Sequence, residues 1–373
     1  MDPVFRRLPQ VVANEVVNLE SKTLEFKRDF SSPQPILKTV VAFANSAGGQ
    51  ILIGVEDNHR VSGLHDPARV IAQLAGLTAQ HTRPPVAYRT QVARVEGRDV
   101  VVITVPPSAN RPHRLHWDRD MTVYVRVDSS SQPATANQVA DMQRRAAGRS
   151  FDQMVVRGSV LRDLDTQAVR AVLGSEATEL ETLRSLGLAS AATVTQGELT
   201  NAGVLLFGRT REELFPYAKL QCGVFAGADK TQLQERTLLR GHLPLLPDSA
   251  DRFLTQHTGI SAEIRPLVRE LILNALVHSD YEVRDKPLRL SVFDERIEIE
   301  SLGTLLPKVT LDMLREGRTQ TRNPVISRIF RLAGLVGLWG GGVPYLYDRT
   351  TELGLPEPEV QELPNRLRVT LWL

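Results

Sequence analysis

The sequence predicts an α+β protein built as two mixed domains joined by a helical connector, and three observations carry this. Apolar-periodic helices alternate with short strand patterns through the first 145 residues, the same mixture resumes after Leu199, and the polar stretch between them offers only short helical pieces. The expected domains are 1–145 and 199–373, with 146–198 as the connector, in a chain of 373 residues that can bury two cores without staples.

The first helix is expected from Pro35 to Ala47, where an apolar-periodic run ends at Gly48 and Gly49. Directly after it, QILIGVE over 50–56 reads as a buried strand, and Asp66 with Pro67 opens a second helix to Ala79. Residues 86–106 alternate as a strand pair around Glu96 to Asp99. Met121 to Val127 alternates strictly, and Thr135 is placed to cap a helix running through Arg145. In the connector, 166–173 and 175–186 read as helical. Beyond Leu199, TNAGVLLFG reads as entry into an apolar strand, 219–225 as another strand, and 266–278 as a long helix. A hairpin of 288–293 and 296–300 turns at Asp294-Glu295, a helix follows at 324–333, and RLRVTLWL over 366–373 is the last strand.

Cys222 is the only cysteine, which excludes an intramolecular disulfide and a Cys-based zinc site and fits a reducing, cytoplasmic compartment. The first 18 residues have no continuous apolar core of signal-peptide length, and no later stretch is long enough to span a bilayer, so no membrane partner is expected. Lys and Arg number 45 against 43 Asp and Glu, so a nucleic-acid site must be a local patch; residues 1–145 carry 18 against 14.

Chemistry concentrates first on the 266–278 helix, where Glu270, Asn274 and His278 recur at every fourth residue and form one polar stripe on an apolar helix. A carboxylate beside a carboxamide suits hydrolysis of a nucleoside triphosphate: Asn274 offers an oxygen to Mg²⁺ while Glu270 orients or deprotonates water. The same spacing also describes a stripe at a solvent edge with ordinary helix hydrogen bonds. Gly340, Gly341 and Gly342 permit close approach of backbone N–H groups to phosphate oxygens, or serve a tight turn. No GxxxxGK[ST] segment is present, which excludes a P-loop.

ELILNALVHSDY, followed by FDERIEIESLG and RNPVISRIFRLAGLVGLWGGGV, resembles the divergent GHKL-type ATP-binding module of bacterial Schlafen/AlbA-type regulators, over Leu199 to the end. The resemblance implies a GHKL-like α/β sandwich that binds ATP and Mg²⁺. Glu270 then matches the general base, Asn274 the magnesium ligand, and Gly340 to Gly342 the phosphate-binding glycines of a lid. His278, Asp280 and Tyr281 match the pattern with no assigned role; for His278 a histidine at the core edge bonded to a carbonyl is the alternative. The aspartate that reads adenine in a DxGxG segment is missing, and Glu300 to Gly303 stand where it is expected.

Leu19 to Lys27 (LESKTLEFK), followed by AFANSAGGQILIGVEDNHRVSGL, resembles the Schlafen AlbA_2 domain over roughly 10–140. In ribonuclease members such acidic positions bind a divalent metal that activates water, and Glu20, Glu25 and Asp57, with Glu56 as an alternative to the last, match them. The residues alone also allow Glu25 as a strand charge and Asp57 as a turn residue. A contact surface for DNA or RNA is expected at Arg111, Arg114, Arg119 and Arg126, interleaved with Trp117 and Tyr124 and extended by Lys27, Arg28 and Lys38; an ordinary loop and edge strand fit the same residues. Relatives carry a winged helix after the ATPase module; none follows before Leu373 here, so DNA recognition is expected to use the N-terminal domain or a partner.

The expected function is an ATP-binding, nucleic-acid-binding transcriptional regulator whose conformation or homo-oligomeric assembly is switched by ATP. The alternatives are a metal-dependent endoribonuclease using Glu20, Glu25 and Asp57, and a nucleotide-dependent interaction protein.

Overall fold

In the computed structural model, the described residues are 11, 12, 15, 16, 19–95, 97–190, 197–284, 286–318, 320–336 and 342–373. The fold is mixed α+β and divides into two compact units, residues 1–148 with 306–310, and residues 149–305 with 311–373. No helix among the described residues is long and apolar enough to cross a membrane.

The N-terminal unit opens with a short antiparallel pair, β1 (Val11–Val12) and β2 (Glu15–Val16). Its main sheet contains β3 (Leu24–Lys27), β4 (Gly49–Ile53), β6 (Arg89–Val95) and β7 (Arg98–Val105) in the order β3-β4-β7-β6. Only β3 and β4 are parallel, so a crossover is required, and α1 (Pro33–Asn45) supplies it. Proline in the first turn starts α1, and its apolar face, Ile36, Leu37, Val40, Val41 and Phe43, packs on Ile51, Ile53, Val101 and Ile103. The helix stops where Gly48 turns to φ +79°; a Cβ there would lie 2.7 Å from both Pro107 Cδ and the Val105 carbonyl. Leu24, Phe26, Leu52, Val100 and Val102 form a second cluster, as alternation along buried strands requires.

A further helix, α2 (Pro67–His81), is capped by Asp66, which accepts from the Arg69 N–H at 3.0 Å. It runs into β5 (Thr82–Arg83), which pairs with β8 (Arg114–Trp117), and β8 pairs with β9 (Asp120–Thr122). A hairpin of β10 (Tyr124–Val127) and β11 (Ser130–Pro133) leads to α3 (Ala136–Ala146). There Thr135 caps as expected, in a reciprocal box with Gln138.

The C-terminal unit begins with α4 (Thr166–Leu173), α5 (Leu180–Ser185), α6 (Asn201–Phe207) and α7 (Arg211–Leu214). Residues 200–208, expected as a strand, form α6: the Thr200 hydroxyl accepts from the Gly203 N–H at 3.1 Å, and all seven helical residues are buried. A short run apolar on every side carries no period, so only its cap distinguished helix from strand.

The sheet of this unit contains β12 (Leu220–Ala226), β13 (Gln232–Leu239), β14 (Leu288–Val292), β15 (Arg296–Leu302), β16 (Glu359–Leu363) and β17 (Arg366–Trp372). Their order is β13-β12-β14-β15-β17-β16, antiparallel except for β12 with β14. The helices α8 (Leu246–His257), α9 (Arg265–His278), α10 (Leu311–Arg315), α11 (Pro324–Leu332) and α12 (Gly342–Glu352) complete the unit. Leu271, Leu276, Phe253, Ile326 and Phe330 share one core with Ile297 and Ile299 of β15. Alternation turns Glu298 and Glu300 to the opposite face of the sheet.

Candidate functional site

Helix α9 forms because Pro266 opens its first turn and Leu267, Val268, Leu271, Ile272, Ala275 and Leu276 bury on the core. It ends at Ser279, whose hydroxyl donates to the Ala275 carbonyl at 2.7 Å and accepts from the Leu302 N–H at 3.2 Å, tying the helix end to the end of β15. Gly303, at φ +78°, lies so close that a Cβ would approach Asp280 Cβ to 2.5 Å. Arg322 then bonds the His278 carbonyl, Asp280 Oδ2 and the Thr304 carbonyl at 3.2, 3.2 and 2.7 Å. Asn323 donates to the carbonyls of Val277 and Ser279 at 2.9 and 2.8 Å. The end of α9, the end of β15 and the start of α11 are therefore one bonded assembly.

Within the polar stripe, Asn274 Nδ2 donates to Glu270 Oε1 and to the Glu270 carbonyl, both at 2.9 Å. This fixes the carboxamide, and its Oδ1 accepts no hydrogen bond among the described residues. Gly342, the first residue of α12, sits against the pair: a Cβ on it would fall 2.3 Å from Glu270 Oε1 and 2.8 Å from Asn274 Nδ2. Burial raises the Glu270 carboxyl above its ordinary value, and the Asn274 hydrogen bond only partly opposes this. Such a shift suits a group that must take up a proton near neutral pH. His278 is driven the other way, to about 4, by burial and then by Arg322, so its ring is neutral at pH 7. Gly340 and Gly341 lie outside the described residues.

Glu300, expected near the adenine position, faces away from α9. Burial raises its carboxyl, but Lys230 at 3.1 Å and Arg368 at 3.0 Å outweigh that and lower it. Tyr281 is structural in its contacts: its hydroxyl donates to the Leu276 carbonyl at 2.6 Å, and burial raises its pKa.

In the N-terminal unit Glu20 and Glu25 are both held on β3, and Asp57 stands on the turn after β4. Glu25 is buried between Lys27 and Arg126, with Arg126 Nη1 at 2.7 Å. Glu20 Oε1 accepts from the Phe26 N–H at 2.8 Å. Asp57 is exposed on the turn between Glu56 and Arg60. No three His, Cys, Asp or Glu side chains among the described residues form a metal-binding group. A carboxylate already neutralised by two cations has little to offer a third.

Arg126, expected on a contact surface, is enclosed. It is 2% exposed, bonds the Ser21 carbonyl at 2.8 Å and Ser131 Oγ at 3.1 Å, and lies 5.1 Å from the Phe43 ring centroid. Lys27 is half-buried on Glu25, Arg28 is exposed beside Asp29, and Lys38 lies 5.6 Å from the Tyr124 ring centroid. Half-buried Arg111 reaches the Asn45 carbonyl at 3.3 Å.

The other two expected contact residues, Arg114 and Arg119, lie on the β5-β8-β9 sheet or its turn. Arg83 of β5 stands directly opposite Arg114 of β8, while His116 stands opposite Met121, so these four share one face. Arg83, His116 and Met121 are exposed, Arg119 is exposed at the β8–β9 turn, and half-buried Trp117 stacks on His81 at 4.6 Å on the other side. Two arginines directly opposite each other repel, and an anion between them relieves that repulsion. Neither Arg83 nor His81 belongs to the segment that the sequence singled out; their signal is the β5–β8 register, which no local pattern contains.

Residues 20–135 match the family described as Schlafen, AlbA_2, and residues 285–371 match HATPase_c_4, described as Putative ATP-dependent DNA helicase recG C-terminal. No curated protein matches the chain. Among solved structures, the DIP2311 protein of Corynebacterium diphtheriae is similar, with 22% identity and a TM-score of 0.50, covering 97% of this chain and 67% of that one. That likeness concerns the fold. The N-terminal domain of a Putative ATP-dependent DNA Helicase RecG-related Protein from Nitrosomonas europaea aligns at 26% identity over 24% of this chain and 66% of its own, with a TM-score of 0.22.

Proposed function

We propose that this chain, which joins a Schlafen AlbA_2 domain to a RecG-related HATPase_c_4 domain, binds Mg·ATP in its C-terminal unit and nucleic acid in its N-terminal unit, acting as a regulator whose conformation or assembly ATP switches. The observation that carries this reading is the approach of Gly342 to the Glu270–Asn274 pair.

Asn274 Oδ1, left over once Nδ2 has bonded Glu270, is the hard oxygen that a magnesium ion requires. The ion would neutralise phosphate charge. Glu270 Oε1 is occupied by Asn274, so Oε2 takes the proton of the attacking water; its raised pKa favours that uptake. Gly342 lets α12 start so close to the pair that no side chain fits between them, and the first-turn N–H groups of α12 would be the donors to phosphate oxygens. On the N-terminal unit, Arg83, Arg114 and Arg119 hold phosphates, and His116 and Met121 lie on the same face for bases.

The test is the affinity for labelled duplex DNA and structured RNA over a salt series, with and without Mg²⁺ and a non-hydrolysable ATP analogue. A salt-dependent affinity that shifts with nucleotide, on uncut nucleic acid, supports the regulator. No affinity in any condition sinks it, and cleavage would replace it by a nuclease.

A further inference from the structure

Helices α8 and α9 cover one face of the C-terminal sheet, where Cys222, Leu290, Ile299 and Leu371 join their core. Alternation sends the intervening residues to the other face, and strand register sorts them into rows. One row contains Leu233, Phe225, Phe293, Arg296 and Trp372. Beside it lie Arg236 of β13, Arg289 of β14 and Arg368 of β17, around Glu298 and Glu300 of β15.

The first row is flat and apolar. A Cβ on Gly223 would fall 3.0 Å from Phe225 Cε2, so the glycine lets that ring lie down on the sheet, where it stacks on Phe293 at 5.2 Å with 18° between the planes. The Arg296 guanidinium lies 3.9 Å from the Phe293 ring centroid and 5.8 Å from that of Trp372. Phe293 is enclosed, but Phe225 and Trp372 are half-buried and Leu233 is 50% exposed, so both ends of the row can be reached from solvent.

Beside that row, positive charge exceeds what the face itself neutralises. Lys230 lies 3.2 Å from Glu298 and 3.1 Å from Glu300, Arg296 Nη2 lies 2.9 Å from Glu298 Oε1, and Arg368 Nη2 lies 3.0 Å from Glu300 Oε1. Those two buried carboxylates are thus already shared among three cations. Arg289 comes only to 3.6 Å from Glu300 and makes no hydrogen bond among the described residues, its Nε being enclosed without a partner. Arg236 is exposed and has no ion pair among them. Guanidinium groups with free donors hold phosphates, and flat rings beside them take unpaired bases. A duplex keeps its bases stacked inside, and an acidic segment offers charge without rings.

We infer that this face binds single-stranded nucleic acid, on the side of the sheet opposite α9 and apart from the Arg83–Arg114 face of the N-terminal unit. Arg236 and Arg289 hold phosphates, and bases stack on Phe225 and Trp372.

The probe is a labelled oligothymidylate, titrated into the full chain over a salt series in EDTA. Wild type is expected to bind it, and Arg236→Gln and Arg289→Gln each to weaken binding and lower the salt slope by about 0.7, the value for one phosphate contact on a single strand. Trp372→Leu is expected to lose about tenfold, which Trp372→Phe restores, because stacking needs the ring. Arg236 is exposed and Arg289 has no hydrogen bond to lose, so melting curves of both variants should match the wild type. Repeating the titrations in an Arg83→Gln background separates the two surfaces: the effects of Arg236→Gln and Arg289→Gln persist there, whether or not Arg83→Gln itself binds less. Wild-type affinity and slope in both arginine variants, or no binding by the wild type, overturns the proposal. So does self-association lost in Arg236→Gln with oligonucleotide affinity unchanged, which would assign the face to a second copy of the chain.

Discussion

Arg126 and Glu25, 101 residues apart in the chain, meet in the interior of the N-terminal unit with Nη1 2.7 Å from Oε2. Both are buried, and the same guanidinium also bonds the Ser21 carbonyl, so the pair closes β10 onto the start of β3. Removing Glu25 leaves the buried Arg126 guanidinium without a carboxylate, which costs about 3–5 kcal/mol, whereas removing Arg126 leaves Glu25 with Lys27 and costs less. Glu25→Gln and Arg126→Met are therefore expected to lower the melting temperature of the N-terminal unit by several degrees, and denaturant titration measures the loss. Unchanged stability in Glu25→Gln would show that the pair does not form.

Glu270 carries a pH signature. Its folded carboxyl is raised by burial, so its contribution to stability is fully present below the unfolded value near 4.5 and is lost as pH rises through the folded value. Glu270→Gln resembles the protonated form. It is expected to match the wild type in acid and to exceed it in melting temperature at pH 7 to 8. Any ATP turnover should fall about 10²- to 10⁴-fold in this variant, as when a general base is removed. A melting temperature that drops at pH 7 would contradict the assignment.

His278 acts in the opposite sense. Its folded value of about 4 lies below the unfolded 6.5, so its contribution is full above pH 6.5 and lost as pH falls through 4. Melting curves taken between pH 7 and 4 should fall less steeply for His278→Gln than for the wild type. Parallel curves would rule the histidine out as a source of acid sensitivity.

On the β5-β8-β9 sheet, Arg83→Gln and Arg114→Gln should each weaken nucleic-acid binding across sequences and reduce the salt slope by about 1. Arg126→Gln should instead act through stability, because its guanidinium is enclosed. An unchanged slope in both surface variants would remove this face from the account.

The sequence was most legible where the signal is local. Helix α1 with its glycine stop, the Thr135 cap of α3, the long helix α9 and the hairpin of β14 and β15 all follow from period, caps and turns. Helix α6 reads as a strand in the sequence because a run buried on every side has no period. Arg126 looked like surface because Met121 to Val127 alternates, yet the partner that makes its burial tolerable lies 101 residues away. Arg83 stayed invisible for the same reason, since only strand register brings it opposite Arg114. The Glu270–Asn274 pair was readable from fourfold spacing, but the approach of Gly342 depends on how α12 returns to α9.

That approach gives the proposed Mg·ATP site its tightest constraint. A methyl group at Gly342 would fall 2.3 Å from Glu270 Oε1, so Gly342→Ala is expected to displace the pair and weaken Mg·ATP binding by tenfold or more while the fold persists. Titration calorimetry would show this against the wild type, and equal affinities would contradict it.

The most direct test of the central claim is calorimetric titration of Mg·ATP into wild type and Asn274→Ala, with a melting curve for each. The account predicts measurable, magnesium-dependent binding to the wild type, and binding lost in Asn274→Ala with the fold retained. Equal affinity in the two proteins, or no binding to the wild type, would contradict it.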